Sequence, residues 1–153
     1  MLPKSHIILG AISTLALRLL LFAKINFFYA IIIFLSTFLI DFDHYLYYAA
    51  KKKDLSLKRA YAWFVKHRDQ IRSLKPSERE KYKRGIFIFH GIECIALLAL
   101  LTYIHPLFAF VLIGVIIHML FDFIDLYTSK EPMYIKVSQI YVYMRNRGKK
   151  ELD

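Results

Sequence analysis

"GVIIHMLFDFID" (residues 114–125) closes an apolar run that begins at Pro106, and within its last eight residues it carries His118, Asp122 and Asp125. Ionisable side chains in a segment written for hydrocarbon are costly, so each requires a partner or a purpose. Where the other histidines and carboxylates fall decides both the fold and the function.

The surrounding composition is that of a membrane protein. Of 153 residues, 58% are hydrophobic and 16% aromatic, and mean hydropathy is +0.41. That is enough chain for one compact unit, a single integral membrane domain over 1–153. The formal charge of +10 reads as membrane topology and contact with anionic lipid headgroups, and nucleic acid is not an expected partner. One cysteine, Cys94, excludes an internal disulfide. Lys4 followed by an apolar run has the look of a signal peptide. No small-residue cleavage site follows and Arg18 interrupts the run, so the segment is expected to stay in the mature protein.

Four apolar segments are predicted to span, at roughly 7–22, 27–48, 86–104 and 106–127; a spanning helix needs about 20 residues. "AKIN" (23–26) and "IHP" (104–106) are tight connections, giving an all-α protein of two antiparallel hairpins, with Pro106 in the first turn of the fourth helix. Between the hairpins lies a basic stretch, 51–84, with 13 Lys/Arg against four acids. Leu57, Tyr61, Phe64, Ile71 and Leu74 recur there at helical spacing, which predicts an interfacial amphipathic helix with Trp63 as an anchor. "KPSERE" supplies a break and an N-cap, Ser77. The tail, 130–153, repeats the device: Met133, Val137, Ile140 and Met144 share a face of a short amphipathic helix. The central stretch and the tail hold 19 of the 22 basic residues, all but Lys4, Arg18 and Lys24. The positive-inside rule therefore places both termini and the central stretch in the cytoplasm, in a multi-pass inner-membrane protein.

On that topology the ionisable residues share one depth. His6 starts helix 1. Asp41, Asp43 and His44 lie near the cytoplasmic end of helix 2. His90 and Glu93 lie one to two turns into helix 3. His118 is roughly 13 Å from the cytoplasmic end of helix 4 at about 1.5 Å per residue, with Asp122 and Asp125 nearer to it. Asp41 and His44, and His90 and Glu93, are i, i+3 pairs; His118 and Asp122 are i, i+4. Each pair occupies one helix face, the device by which four-helix carboxylate–histidine bundles hold two metals. Asp43 points away from Asp41 in a regular helix, so it either supports a ligand from behind or marks an unwound turn. Asp125 shares the face of His118 and Asp122 and is placed to orient a ligand histidine. A lone polar residue in a span is often hydrogen-bonding glue between helices; the common depth of the whole set argues for a common ligand.

"SHIILG" (5–10), "FLIDFDHYLYY" (38–48), "FHGIE" (89–93) and "GVIIHMLFDFIDLY" (114–127) resemble the bacterial and archaeal YdjM-type family of inner-membrane metal-dependent hydrolases, also described as LexA-binding. The resemblance covers nearly all the chain apart from the basic stretch and the tail. It implies metal-ligand roles for His6, Asp41, Asp43, His44, His90, His118 and Asp122. Many relatives carry "HRG" before helix 3 and then a Thr-His-Ser-like element; here "KRGIFIFHGIE" has Lys83 in place of that histidine and adds Glu93. The HxxxD element is also similar to that of zinc-dependent phospholipase C enzymes.

The leading expectation is a metal-dependent hydrolase with a His/Asp/Glu site in the cytoplasmic half of the bundle. Its ligands are His6, Asp41, Asp43, His44, His90, Glu93, His118 and Asp122, with Glu93 or Asp125 as general base. Such nitrogen and oxygen ligands suit one to three divalent ions, zinc first and manganese or iron next. A site at headgroup depth beneath a basic helix favours a phospholipid or other anionic amphiphile. The rivals are a divalent-metal or proton transporter, which needs polar stations across the whole bilayer, and a membrane-tethered module that binds a protein partner through the basic stretch.

Overall fold

The computed structural model describes residues 3–21 and 26–152, and among these the regular structure is helical, with no strand. Apart from Asn26, the "AKIN" connection and Lys24 lie outside the described residues. The helices are α1 (Pro3–Ala16), α2 (Phe27–Leu39), α3 (Phe42–Lys52), α4 (Leu57–Ser73), α5 (Pro76–Arg79), α6 (Ile92–Leu101), α7 (Leu107–Thr128), α8 (Tyr134–Val137) and α9 (Gln139–Arg145). A π turn, Leu17–Leu21, continues α1.

The pair α2 and α7 forms the centre, with α1 packed on both and α6 on α7. Gly114 permits the close approach: a Cβ there would meet the Ile33 carbonyl oxygen at 2.5 Å and the Ser36 Cβ at 2.6 Å. Small residues at such crossings let backbones touch. Below this contact Ile40, Val115 and Met119 form a small apolar core, backed by Ile95, Leu98, Val111 and Phe123.

Polarity is reversed relative to a water-soluble bundle. His90 and His118 are 0% exposed and Asp43 and Asp122 2%, whereas Ile8 is 60% and Leu100 66% exposed. Charged groups are almost never fully buried unless paired, and broad apolar surfaces mark contact with a partner or a membrane. Two helical stretches are long and apolar enough to cross a membrane, Phe27–Lys52 (α2 with α3) and Leu107–Thr128. In each, only 28% of the most apolar window is buried inside the protein.

The third apolar segment, expected to be helical over 86–104, is helical only over Ile92–Leu101, too short to span alone. Its first part is held in irregular form because side chains claim the backbone N–H groups that a helix would use. Phe87 N donates to Gln139 Oε1 (2.9 Å), Phe89 N to Asp43 Oδ2 (2.9 Å), and Arg84 N to Asn146 Oδ1 (2.9 Å). Gly91, at φ 105°, makes the left-handed turn that finally starts α6. His90 therefore precedes the helix rather than lying one to two turns into it.

The second segment breaks at Ile40–Asp41. Asp41 N, Asp43 N and His44 N donate to Phe38, Ile40 and Asp41 carbonyls, an i→i−3 pattern that tightens the chain. This turn lets Asp41 and Asp43 both face inward.

The amphipathic helix is present as α4, capped by Ser56. Its inner face brings Trp63 and Phe64 against Tyr47, Tyr48 and Phe87. Asp54 secures the α3–α4 turn by accepting two hydrogen bonds from Arg59, both 2.6 Å, and these hold its carboxyl below the usual range. Lys75, not Ser77, caps α5, because Pro76 takes the first helical position and draws Ser77 inside. The tail is two short helices rather than one. Ser138 is extended (φ −146°, ψ 123°) and accepts from Tyr141 N at 3.1 Å to cap α9.

Candidate metal centre

Helices α1, α2/α3 and α7 and the turn before α6 each deliver a histidine or carboxylate to one point. His90 Nε2 lies 3.0 Å from His118 Nε2. Asp41 Oδ1 lies 3.5 Å from the first and 3.6 Å from the second; Asp122 Oδ2 lies 3.5 and 3.2 Å from them. Ligands at about 2.05 Å from a tetrahedral ion stand about 3.3 Å apart. Five measured edges of this four-atom set fall between 3.0 and 3.6 Å.

The protons settle what those nitrogens can do. His118 Nδ1 lies 2.8 Å from the Thr37 carbonyl oxygen, which only accepts, so Nδ1 carries the hydrogen. His90 Nδ1 likewise donates to Asp43 Oδ2 at 2.9 Å. In neutral imidazoles both Nε2 atoms are then lone pairs directed at each other, which requires a proton or a cation between them. Backing of ring N–H groups by a carboxylate and a carbonyl is the usual support of metal-bound histidine.

A second set adjoins the first. His6 Nε2 lies 3.3 Å from Asp122 Oδ1 and 3.9 Å from Asp41 Oδ2, and its ring stacks on His118 at 4.0 Å. Both His6 nitrogens and Asp41 Oδ2 are buried without a hydrogen-bond partner. Asp41 and Asp122 thus turn one oxygen toward each set, so that either set could hold a divalent ion. His6, His118 and Asp122 form one group whose donor atoms lie within 4.8 Å of one another; Asp41, His44 and His90 form another.

Lys136 Nζ sits 2.9 Å from Asp122 Oδ2, a buried cation set against the carboxylates of the cluster.

The structure gathers His6, Asp41, His44, His90, His118 and Asp122, and puts Asp43 behind the histidines. His44 Nδ1 donates to Asp43 Oδ1 at 2.9 Å, and its ring stacks on Phe87 at 3.8 Å. Two expected residues are placed elsewhere. Glu93 accepts from Ser138 Oγ (2.5 Å) and from the N–H groups of Gln139 and Ile140 (both 3.2 Å), so it anchors α9 instead of joining His90. Asp125 pairs with Arg72 at 2.6 Å and ties α4 to α7. His67 stacks on Trp63 at 4.9 Å, and burial, then Lys51 and Arg84, pushes its imidazole below the ordinary value.

Sequence reading missed Lys136 and the Thr37 carbonyl. A backbone acceptor leaves no mark in sequence; for Lys136 the one signal was a lone cation between Ile135 and Val137. Neither a protein-family model, nor a curated protein, nor a solved structure matches the chain, so the site is read from its own atoms.

Proposed function

We propose that this protein is a membrane-embedded, metal-dependent hydrolase of the YdjM type, acting at the cytoplasmic face on a phospholipid or other anionic amphiphile. The observation that supports it most is the opposed His90 and His118 Nε2 pair, 3.0 Å apart with both Nδ1 hydrogens committed outward. When bound there, a divalent ion, zinc first, supplies a water of pKa about 7 and polarises a phosphoryl or acyl oxygen. His90, His118, Asp41 and Asp122 hold it, with His6 on the adjoining side. Asp43 and the Thr37 carbonyl fix the rings.

General acid–base work falls to His44 rather than to Glu93 or Asp125. Asp43 takes the Nδ1 hydrogen and leaves Nε2 as the basic nitrogen, the logic of an oriented catalytic histidine. With a side chain 26% exposed, His44 is the most accessible histidine of the cluster. Lys136 offsets the charge of Asp122 and stands ready for an anionic substrate.

The membrane arrangement follows from the apolar exterior and the basic asymmetry. Four segments cross, and residues 86–91 complete the third crossing as irregular chain. Such backbone is tolerated at membrane depth where protein satisfies it, as Asp43 and Gln139 do here. The termini and α4 face the cytoplasm. A transporter is disfavoured because the first half of α7, "LFAFVLIGVII", carries no polar side chain. The test is release of headgroup or phosphate from phospholipid vesicles by protein with measured metal content. Activity lost on chelation and in His118→Ala supports the reading; metal-loaded protein inert toward every phospholipid and alkyl phosphate tried counts against it.

A further inference from the structure

A cavity of about 350 Å³ adjoins the cluster, between α4, α3 and the 84–87 segment, and Asp41, His44 and Lys136 are part of its lining. That is the size of a small-ligand pocket. Its wall along α4 is apolar and aromatic, including Leu57, Tyr61, Trp63, Phe64 and Ile71. Arg84, also in the wall, is 9% exposed. Its Nη2 sits 3.0 Å from Glu131 Oε2, yet neither Nη2 nor Nε has a hydrogen-bond partner. Arg79 donates to Glu131 Oε1 at 2.9 Å, which leaves Oε2 facing Arg84 Nη2 and Arg84 Nε without any acceptor. Buried guanidinium hydrogens left without acceptors cost free energy unless a ligand supplies oxygens.

Resting on the hydrolase reading above, we infer that this cavity is the substrate pocket, that it seats one hydrocarbon chain along α4, and that Arg84 recognises a phosphate headgroup. A guanidinium fork presents paired donors that match phosphate, and Lys136 adds a point charge from the cluster side. Arg84 and Lys136, both in the cavity lining, together supply the positive charge that an anionic phosphate headgroup requires. The hydrocarbon is matched by the α4 strip, whose basic outer residues meet the headgroup layer. Arg84 thereby becomes the residue that selects anionic over neutral amphiphiles.

Trp63 is the one tryptophan of the chain and lines the cavity, so it reports occupancy directly. Full-length protein in phosphatidylcholine nanodiscs, its zinc content measured on the same sample, is titrated with a chain-brominated alkyl phosphate. Saturable quenching of Trp63, reversed by the unbrominated phosphate, is expected, with the matched brominated alkanol at least about tenfold weaker. Arg84→Gln is expected to erase that preference, a loss of about tenfold or more for the phosphate alone. Arg84→Lys, which keeps the charge, should recover part of it. Equal quenching by phosphate and alkanol in the wild-type protein overturns the proposal without any variant. So does full displacement by inorganic phosphate at matched concentration, which would make the pocket an ion site. Zinc bound without selective quenching rejects the pocket and leaves the metal centre standing; selective quenching without zinc rejects the metal centre alone.

Discussion

His90 and His118 meet Nε2 to Nε2 at 3.0 Å, and each turns its Nδ1 hydrogen away, one to Asp43 and the other to the Thr37 carbonyl. Residues 28 positions apart thus present two lone pairs to one point, inside a ring of carboxylate oxygens. The Nδ1 bonds hold both rings in that orientation, and a cation or a proton between the two Nε2 atoms satisfies it.

His118→Ala and Asp122→Ala should each remove most bound metal, while Asp125→Asn should keep it, since Asp125 serves Arg72 instead. Asp122→Ala also strands Lys136, and breaking a buried pair costs about 3–5 kcal/mol. Asp122→Asn combined with Lys136→Met should recover stability without recovering metal. Metal analysis beside thermal melts separates the two effects; metal retained in His118→Ala would assign the residue to packing.

Asp43→Asn should weaken metal affinity about 10–100-fold rather than abolish it, because Asp43 orients His90 and His44 from behind. Chelator competition measures this. An unchanged affinity would show that the backing of the rings is unimportant to the site.

Glu93→Gln should leave metal content intact and loosen the C-terminal strap. Its carboxylate accepts three hydrogen bonds from Ser138, Gln139 and Ile140, and losing such an anchor costs about 1–3 kcal/mol. Limited proteolysis of the tail should accelerate. Lost metal with an unchanged tail would return Glu93 to the ligand set.

Topology is tested by impermeant thiol labelling in intact cells on a Cys94→Ala background. Cysteines placed at Lys53 and Lys81 should stay unlabelled until the cells are opened. Ready labelling in intact cells would invert the orientation and put the cluster at the outer face.

How much of this was legible in the sequence follows from what each feature depends on. The shared level of His6, His44 and His118 along the bundle could be read because helical rise turns sequence position into distance along the axis, whereas His90 joins them from the irregular turn before α6. The inward role of Asp122 could be read from its i, i+4 relation to His118. Glu93 misled because i, i+3 pairing with His90 presupposes a helix through both, and the chain becomes helical only at Ile92. That local irregularity is imposed by Gln139, Asn146 and Asp43, all remote in sequence. Lys136 was invisible for the same reason: its burial depends on how the tail folds back, which no local periodicity encodes. Asp41 and Asp43 lay between, since a regular helix would have separated them and a tightened turn brings both inward.

The most direct test of the metal centre is elemental analysis of detergent-purified protein, before and after zinc is offered to a chelated sample. At least one equivalent of divalent metal per chain is expected, with X-ray absorption showing nitrogen and oxygen ligands and no sulfur. Folded protein that carries no metal and takes up neither zinc, manganese nor iron would contradict the account at its centre.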